Sequence, residues 1–358
     1  MNILHITPDF NYACGRSYYV YLLMKYFKKR KHHPVLLTNG GDSIDRLEDI
    51  KADYKIINSL HSKNPLSFAK NVSEISKIII ENDIHIIHTH HRFSELLAIQ
   101  AVNLLKENHV KTVFTALSIV DKRYNIEFKS DKIIAVSDTV RNMLIRKFRV
   151  EENRIQKISN FTDRAELHEL EKRDSGKKSQ ENGDYSILSI GRYHPDKNQI
   201  VLLKALNVLK DKTIKLVLIG EGECLNEYRK YINRHKLNVE LIPPQKHLHE
   251  YFINTELCVL PSLRDPFPNF MLQAGLHKKP FIGANVDGIA EMILNYENGL
   301  LFESDNEIEL ARKILQLKNN KKLAAHCAEN LHKDVINDYT EATKISDIEM
   351  LYREILKQ

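Results

Sequence analysis

The chain has 358 residues, of which 42% are hydrophobic and 28% are charged, and its formal net charge is +6. This length exceeds what one ordinary hydrophobic core organises, and the lack of any run of about 18 apolar residues argues against a membrane-spanning helix. The positive charge lies in residues 1–165 (26 basic and 18 acidic residues) and favours an anionic substrate or membrane surface; without aromatic interleaving, we expect no nucleic-acid partner.

Short apolar strands alternate with helix-periodic segments along the first half of the chain. A long amphipathic segment from Ser17 to Lys31 follows the first strand. This alternation predicts parallel βαβ units and a doubly wound sheet. The predicted strands are Asn2–Ile6, Pro34–Thr38, Ile84–His88, Thr112–Thr115 and Lys132–Val136.

A polar stretch over residues 164–184 is predicted to connect this half to a second series of strands and helices. The fold class is therefore α/β, with two Rossmann-like doubly wound domains facing a central cleft. We expect domains over residues 1–165 and 166–338, followed by a charged helix over 339–358. The strands of the second series are Tyr185–Ile190, Lys215–Ile219, Val239–Ile242, Leu257–Leu260 and Phe281–Ile282, and its helices are Gln199–Lys210, Leu225–His235 and one that opens near Asn269.

Two cations follow the first strand of the second half. Gly191 and Arg192 come directly after Ile190, and Lys197 follows five residues later. A guanidinium and an ammonium at one strand end can bind a diphosphate, which arginine grips through paired donors. A solvated basic loop is the alternative interpretation. Gly220 and Gly222 close the next strand, where they permit either a plain turn or a close approach to a ligand.

Residues 260–291 form the most informative segment: a strand end, a proline-rich loop, a helix, a second short strand and the pair Asp287-Gly288. Asp265 lies in the loop and Gln273 on the helix, eight positions apart. The backbone N–H groups of a helix start attract phosphate. Asp265 could instead cap a turn, and Gln273 could be an ordinary helix-surface residue.

These motifs together resemble the retaining glycosyltransferases of the two-Rossmann-domain (GT-B) type, family 4, over essentially the whole chain. The resemblance implies transfer of a sugar from a nucleoside diphosphate donor, carrying UDP or GDP, to a glycan or lipid-linked acceptor, without a metal or other cofactor. It also implies that the last helix crosses back onto the N-terminal domain.

The resemblance assigns roles to individual residues. Arg192, Lys197 and Asp265 are expected to be catalytic: the two cations bind the departing diphosphate, and Asp265 contacts the hydroxyls of the transferred sugar. The remaining donor-binding residues are expected to be Gly15 and Arg16 in the first glycine loop, Gly191, Gly220, Gly222, Ile242 at the base, Asn269, Phe270 and Met271 through their backbone N–H groups, Gln273 at the ribose, and Gly288.

The chain departs from the family pattern at three positions. Family members usually carry Glu where this chain has Asp265 and Gln273, and a His near the transferred sugar where it has Ala116 or Leu117. Two alternatives to an active transferase therefore stay open: a catalytically silent GT-B binding subunit, and a GT-B enzyme such as a nucleotide-sugar epimerase.

Three histidines lie at the end of a predicted strand in the first half: His88, His90 and His91. Their H-x-H spacing could ligate a metal, but no carboxylate or cysteine accompanies it. Family members carry a similar histidine-rich strand end beside the acceptor, so we expect these residues on the acceptor side.

The run Lys25–His33 ends the first helix with a cluster of cations. A solvated helix end and a docking surface for an anionic membrane are equally good interpretations. The four cysteines are scattered without C-x-x-C spacing, and the first residues lack a signal region. We therefore expect a cytoplasmic protein, which in the second interpretation is peripheral on the inner face of the membrane.

Overall fold

The computed structural model describes residues 1–106, 109–124, 126–164, 167 and 185–357. The chain divides into two compact units, residues 1–160 with 341–358, and residues 161–340. The predicted boundary was at 165/166, and most of the predicted connection lies outside the described residues. The last helix is grouped with the first unit.

The first unit contains a seven-stranded parallel sheet with the order β3-β2-β1-β4-β5-β6-β7. Its strands are β1 (Asn2–Ile6), β2 (His33–Thr38), β3 (Asp53–Ile56), β4 (Ile86–Thr89), β5 (Lys111–Ala116), β6 (Lys132–Ala135) and β7 (Ile155–Lys157), and its described helices are α1 (Gly15–Lys29), α2 (Asp45–Asp49), α3 (Pro65–Glu81), α4 (Arg92–Leu105), α5 (Asp138–Arg146) and, at the end of the chain, α13 (Glu341–Ile355).

The second unit contains a six-stranded parallel sheet with the order β10-β9-β8-β11-β12-β13. Its strands are β8 (Tyr185–Ile190), β9 (Ile214–Ile219), β10 (Val239–Ile242), β11 (Leu257–Leu260), β12 (Phe281–Ala284) and β13 (Leu300–Phe302), and its described helices are α6 (Gln199–Leu209), α7 (Leu225–His235), α8 (His249–Ile253), α9 (Asn269–Leu276), α10 (Asp287–Met292), α11 (Glu307–Asn319) and α12 (Lys321–Asp338).

The two faces of the first sheet are covered by different helices. Leu4 and Ile6 of β1 and Ile87 of β4 pack with the apolar side chains of α3 and α4. Side chains alternate between the faces of a strand, so His5 lies on the opposite face, where its ring stacks on Phe27 of α1. The sheet is therefore buried on both faces, as parallel sheets generally are.

The last helix, α13, packs on α1. The Tyr352 ring stacks on Phe27 with the centroids 5.3 Å apart, and Arg30 donates to Glu349 at 2.9 Å. Among the described helices, none has both the length and the apolar character that crossing a bilayer requires.

Three strands are additional to the predicted ones, and all three are sheet edges: β3, β7 and β13. β3 and β7 consist of exposed and half-buried residues, and β7 and β13 are three residues long. An edge strand gains its hydrogen bonds from one neighbour and needs no continuous apolar run. Sequence patterns therefore identify such strands poorly.

Candidate active site

The candidate donor site lies where the strand order of the second sheet reverses. β8 pairs with β9 on one side and with β11 on the other. The loops after β8 and β11 therefore leave the sheet side by side at its carboxyl edge. In open α/β sheets, ligands bind at this switch point.

A partly buried ion pair joins these two loops. Lys197 ends a short 3-10 turn after β8, and its Nζ donates to Oδ2 of Asp265, in the loop after β11, at 2.5 Å. The Asp265 side chain is 6% exposed and that of Lys197 is 22% exposed. A backbone bond from Leu263 N–H to the Asp196 carbonyl at 2.8 Å also joins the loops. The two predicted catalytic residues thus contact each other.

The loop after β12 fixes the backbone of Asp265 on both sides. The Asp287 carboxylate accepts from Asp265 N–H at 3.1 Å, and Gly288 N–H donates to the Asp265 carbonyl at 3.0 Å. A Cβ on Gly288 would lie 2.1 Å from the Pro266 carbonyl oxygen, so no larger residue fits there. Burial raises the pKa of Asp287. Gly288 therefore acts on the Asp265 loop by close backbone packing.

The two glycines of the G-x-G turn after β9 pack against the loop after β8. A Cβ on Gly220 would lie 2.1 Å from the Gly191 carbonyl oxygen, and one on Gly222 would lie 2.4 Å from that of Tyr193. Close loop packing thus explains both glycines without a ligand. Gly220 N–H also donates to the Ile242 carbonyl at 2.9 Å. This carbonyl belongs to the residue that is expected to lie at the nucleotide base.

Arg192 is exposed beside this packed loop, and none of the described residues pairs with its guanidinium. Gly191, next to it, has room for a side chain: the nearest atom to a Cβ there would be Nε2 of Gln199, at 3.4 Å. Of the two predicted cations, Lys197 therefore pairs with a carboxylate, whereas Arg192 pairs with none among the residues that the structure describes.

Helix α9 begins at Asn269, directly after Pro268, so its N-terminus follows the Asp265 loop. Of the three N–H groups expected to reach phosphate, that of Met271 donates to the Pro268 carbonyl at 3.2 Å. The first turn of the helix thus uses the Met271 donor. The Phe270 ring is buried and packs near Phe252 and Phe281.

Gln273 lies about one turn into α9 and is half buried. Its side-chain amide donates to Oγ1 of Thr162 at 3.0 Å. This bond orients the carboxamide. It requires a donor on the side chain of residue 273, because the Thr162 hydroxyl oxygen accepts it.

In the first unit, the loop after β1 holds the predicted Gly15 and Arg16 at the start of α1. Nε of Arg16 donates to Thr7 Oγ1 at 3.0 Å, and Nη2 donates to Asp9 at 2.8 Å. The guanidinium is thus held by two residues at the carboxyl edge of its own sheet, and Gly15 is exposed.

The structure corrects the expectation for His88 and His90. Both rings are buried in the interior of the first unit, at 0% and 3% exposure, so they do not line an open acceptor surface. His91 lies at the strand end and caps α4 by accepting from Phe93 N–H at 3.3 Å. Its ring centroid is 4.9 Å from that of His61, and burial, helped by the nearby Arg16, lowers the pKa of His91 to about 4.

Comparison with known proteins identifies the chain. The sequence model of "Glycosyltransferase Family 4" matches residues 15–166, and that of "Glycosyl transferases group 1" matches residues 171–334. The chain belongs to the GT-B glycosyltransferases of this family. An uncharacterised glycosyltransferase of Methanocaldococcus jannaschii is 26% identical over 99% of both chains.

Two further similarities fit this glycosyltransferase family. Poly(ribitol-phosphate) alpha-N-acetylglucosaminyltransferase of Staphylococcus aureus is 26% identical, over 95% of this chain and 67% of that protein. The crystal structure of Anabaena HepE in complex with UDP and glucose superposes with a TM-score of 0.82 at 16% identity, covering 98% of each chain. The HepE likeness shows a shared fold, and the predicted GT-B fold and family are confirmed.

The sequence does not reveal three contact partners of the predicted site residues. Thr162 contacts Gln273, Asp9 contacts Arg16, and His61 contacts His91. Each of these partners is distant in sequence or carries no motif. Only Asp9, two residues after the loop begins at Thr7, could have been found from its position after the first strand.

Proposed function

We propose that this glycosyltransferase moves a sugar from a nucleoside diphosphate sugar to an acceptor hydroxyl with retention at the anomeric carbon. The observation that carries the proposal is the Lys197–Asp265 pair, 2.5 Å apart, at the switch point beside the N-terminus of α9. A cation, a carboxylate and a helix start converge there, and this combination suits a sugar joined to a phosphate.

The leaving diphosphate is bound by positive groups. Arg192 offers paired guanidinium donors, Lys197 a compact ammonium, and α9 the partial positive charge of its N-terminus. Negative charge grows on the diphosphate as the bond to the sugar breaks, so these groups stabilise the transition state more than the bound donor. In this scheme the three positive groups neutralise the diphosphate charge that a metal ion neutralises in other phosphate-transfer reactions.

The transfer step needs no protein nucleophile in this proposal. The bond from the anomeric carbon to the β-phosphate oxygen breaks as the acceptor oxygen forms its own bond to that carbon. The acceptor proton passes to a β-phosphate oxygen, and the nucleoside diphosphate departs. A pair of carboxylates at glycosidase-like separation is not required.

Asp265 has two tasks in this proposal. Its Oδ2 holds Lys197 at the strand end, which pre-orients the ammonium before the donor binds. The rest of the carboxylate contacts hydroxyls of the transferred sugar. Because Asp is one methylene shorter than the usual Glu, the sugar must lie closer to the loop after β11.

The donor nucleotide is a uridine or guanosine diphosphate. HepE, which shares the fold, binds UDP and glucose, so uridine is the first base to test. Gln273 is proposed to contact the ribose through its amide group, whose bond to Thr162 sets its orientation. A neutral amide binds a hydroxyl more weakly than a carboxylate does.

The acceptor is proposed to be a glycan or a lipid-linked glycan in cell-surface polysaccharide or glycolipid synthesis. The similar S. aureus enzyme is named for a poly(ribitol-phosphate) acceptor. His91 and Arg16, at the carboxyl edge of the first sheet, are the residues proposed to be nearest the acceptor.

The donor proposal is tested by calorimetry of the purified protein with UDP and GDP sugars, followed by donor-hydrolysis and transfer assays. Lys197→Ala should lower transfer by at least about 100-fold, since one charged donor to the leaving group is lost. Lys215→Ala is the matched control, because Lys215, near the start of β9, pairs with Glu240 of β10 at 2.8 Å, away from the carboxyl ends of the strands.

Three results would count against the proposal. No nucleotide binding at millimolar concentration would exclude a donor site. Tight binding without hydrolysis or transfer would favour the silent binding subunit. Equal turnover of the Lys197→Ala and Lys215→Ala variants would show that Lys197 does not bind the diphosphate.

We also propose that the end of α1 docks on the inner, anionic face of the cytoplasmic membrane. Lys28, Lys29 and Lys31 are exposed there, and Lys29 lies over the Tyr26 ring at 5.0 Å. Cations beside aromatic rings suit a membrane interface. Lys28 also donates to the Lys51 carbonyl, and Arg30 donates to Glu349 at 2.9 Å, which anchors α13.

Flotation with vesicles containing phosphatidylglycerol tests the docking proposal. Replacing Lys28, Lys29 and Lys31 by Gln should reduce the bound fraction severalfold, and bound protein should also fall with added salt. The matched control neutralises Lys321 and Lys322, an exposed pair at the start of α12. Equal losses in both variants would point to net charge rather than to α1.

A further inference from the structure

Three imidazoles meet on one face of the first sheet, outside the groups used for transfer. His5 on β1 is the register partner of His88 on the adjacent strand β4. His90 follows two residues after His88, which places it on the same side of the extended chain. The ring centroids are 4.3 Å apart for His88 and His90, and 5.4 Å from His5 to each of them.

The positions of the ring nitrogens suit a four-coordinate metal. Nδ1 of His5 and Nε2 of His90 are 3.2 Å apart. Two nitrogens bound to one tetrahedral zinc ion at about 2.0–2.1 Å stand about 3.3 Å from each other. One nitrogen from each of the three rings lies within 4.8 Å of the others, so His88 is the third ligand of the set.

The cluster is enclosed and uncharged. His5 and His88 are fully buried, and His90 is 3% exposed. Burial lowers the pKa of His5 to about 3 and those of His88 and His90 well below the usual value. Burial disfavours the charged form of each ring, and the neutral imidazole is the form that binds a metal.

Two nitrogens of the cluster have no hydrogen-bond partner among the described residues: Nε2 of His5 and Nδ1 of His90. Buried polar atoms in native proteins are nearly always satisfied. These are the nitrogens turned away from the 3.2 Å contact, so the fold does not complete the hydrogen bonding of this cluster with the described residues.

Hydroxyl groups surround the cluster as an outer shell. The Tyr352 hydroxyl lies 2.6 Å from Nδ1 of His88, and Thr115 Oγ1 lies 2.5 Å from Nε2. A metal-binding histidine usually keeps a hydrogen bond on the nitrogen that does not face the metal. The Tyr352 contact serves this purpose when Nε2 of His88 exchanges the Thr115 hydroxyl for the metal.

We propose that His5, His88 and His90 form a structural binding site for a divalent transition metal, with zinc as the favoured ion. Imidazole donors suit zinc, cobalt and nickel, whereas magnesium and calcium prefer oxygen ligands. A water molecule takes the fourth position. The metal joins β1 to β4 and, through Tyr352, joins α13 to the sheet. The sugar-transfer step does not use it.

Metal content and metal titration of the full chain, purified without a histidine tag, test this proposal. We expect one equivalent of zinc after dialysis against micromolar zinc, an absorption spectrum of four-coordinate cobalt after exchange, and a melting temperature that falls on chelation. His5→Gln and His90→Gln should each weaken zinc binding by about 100-fold, because each removes one of three ligands. His91→Gln is the matched control and should bind zinc as the wild type does.

A second histidine pair gives the competing explanation. Nδ1 of His249 and Nε2 of His277 in the second unit are 3.0 Å apart. Zinc bound there would be lost in His277→Gln and retained in His5→Gln, which would overturn the proposal. Less than about a tenth of an equivalent in the wild type would also overturn it. If His5→Gln does not fold, His90→Gln, at the rim of the cluster, gives the decisive affinity.

Discussion

At the scale of single residues, the proposed donor site differs from the family pattern in the charge of residue 273 and in the length of the side chain at residue 265. Asp265 is engaged with Lys197, and Gln273 is engaged with Thr162. The sequence could predict Lys197 and Asp265, because both follow strands whose carboxyl ends meet at a switch point. It could not predict their 2.5 Å contact, which depends on how two loops 68 residues apart leave the sheet.

Gln273→Glu should raise nucleotide affinity about fivefold. A carboxylate is a stronger acceptor for ribose hydroxyls than an amide, and about 1 kcal/mol of extra binding corresponds to this factor. Thr162 can still donate its hydroxyl proton to the new carboxylate. Calorimetry with UDP and GDP measures the change.

The matched control for this substitution is Gln316→Glu on α11, in the same unit. It adds the same charge without the contact to Thr162, and affinity should not increase. An unchanged affinity in Gln273→Glu would show that residue 273 does not contact the ribose.

At the scale of elements, glycines allow the loops of the second unit to pack against one another. Gly220, Gly222 and Gly288 each lack room for a Cβ because a carbonyl oxygen of a neighbouring loop lies within 2.4 Å of its position. The sequence predicted the turns but attributed these glycines to a ligand. The sequence could not predict this packing, because the carbonyl groups that contact the glycines lie in loops that follow other strands.

Gly288→Ala should lower both stability and transfer. The new Cβ would lie 2.1 Å from the Pro266 carbonyl oxygen and would displace the loop that holds Asp265. We expect a loss of about 2 kcal/mol in the free energy of unfolding, in the range for overpacking. Thermal melting and the transfer assay measure the two effects.

Gly191→Ala is the control for stability, because a Cβ there meets its nearest neighbour only at 3.4 Å. It should melt close to the wild type. A Gly288→Ala protein as stable as Gly191→Ala would show that the Asp265 loop is not held by this contact.

At the scale of the whole molecule, the last helix, α13, belongs to the same unit as the first 160 residues. Glu349 on α13 accepts from Arg30 at 2.9 Å and from Arg353 at 2.6 Å. Partial burial alone would raise the pKa of Glu349, but these charged donors outweigh it and lower the pKa to about 2. A carboxylate whose pKa falls on folding stabilises the fold in its ionised form.

Glu349→Gln should therefore cost about 2 kcal/mol of unfolding free energy at pH 7, as expected for charged hydrogen bonds. The stabilisation is complete above the unfolded pKa of about 4.3 and disappears as the pH falls toward about 2. The difference between wild type and variant should narrow over that interval. Denaturant unfolding from pH 7 downward measures it.

The control is Glu354→Gln on the same helix, whose carboxylate is 55% exposed and 3.4 Å from Lys132. It should change stability by less than about 1 kcal/mol, as exposed pairs do. Equal losses in both variants would show that α13 responds to net charge and not to the Arg30 contact.

The sequence by itself determined the two parallel α/β sheets, their central strands and the positions of Arg192, Lys197 and Asp265. Each of these follows from local periodicity or from a place directly after a strand. The tertiary structure decided the rest: the strand order, the edge strands β3, β7 and β13, the buried state of His88 and His90, and the contact of His5 with them across β1 and β4. Strand register and burial depend on side chains far apart in the chain, and a local pattern carries no information about which of them meet.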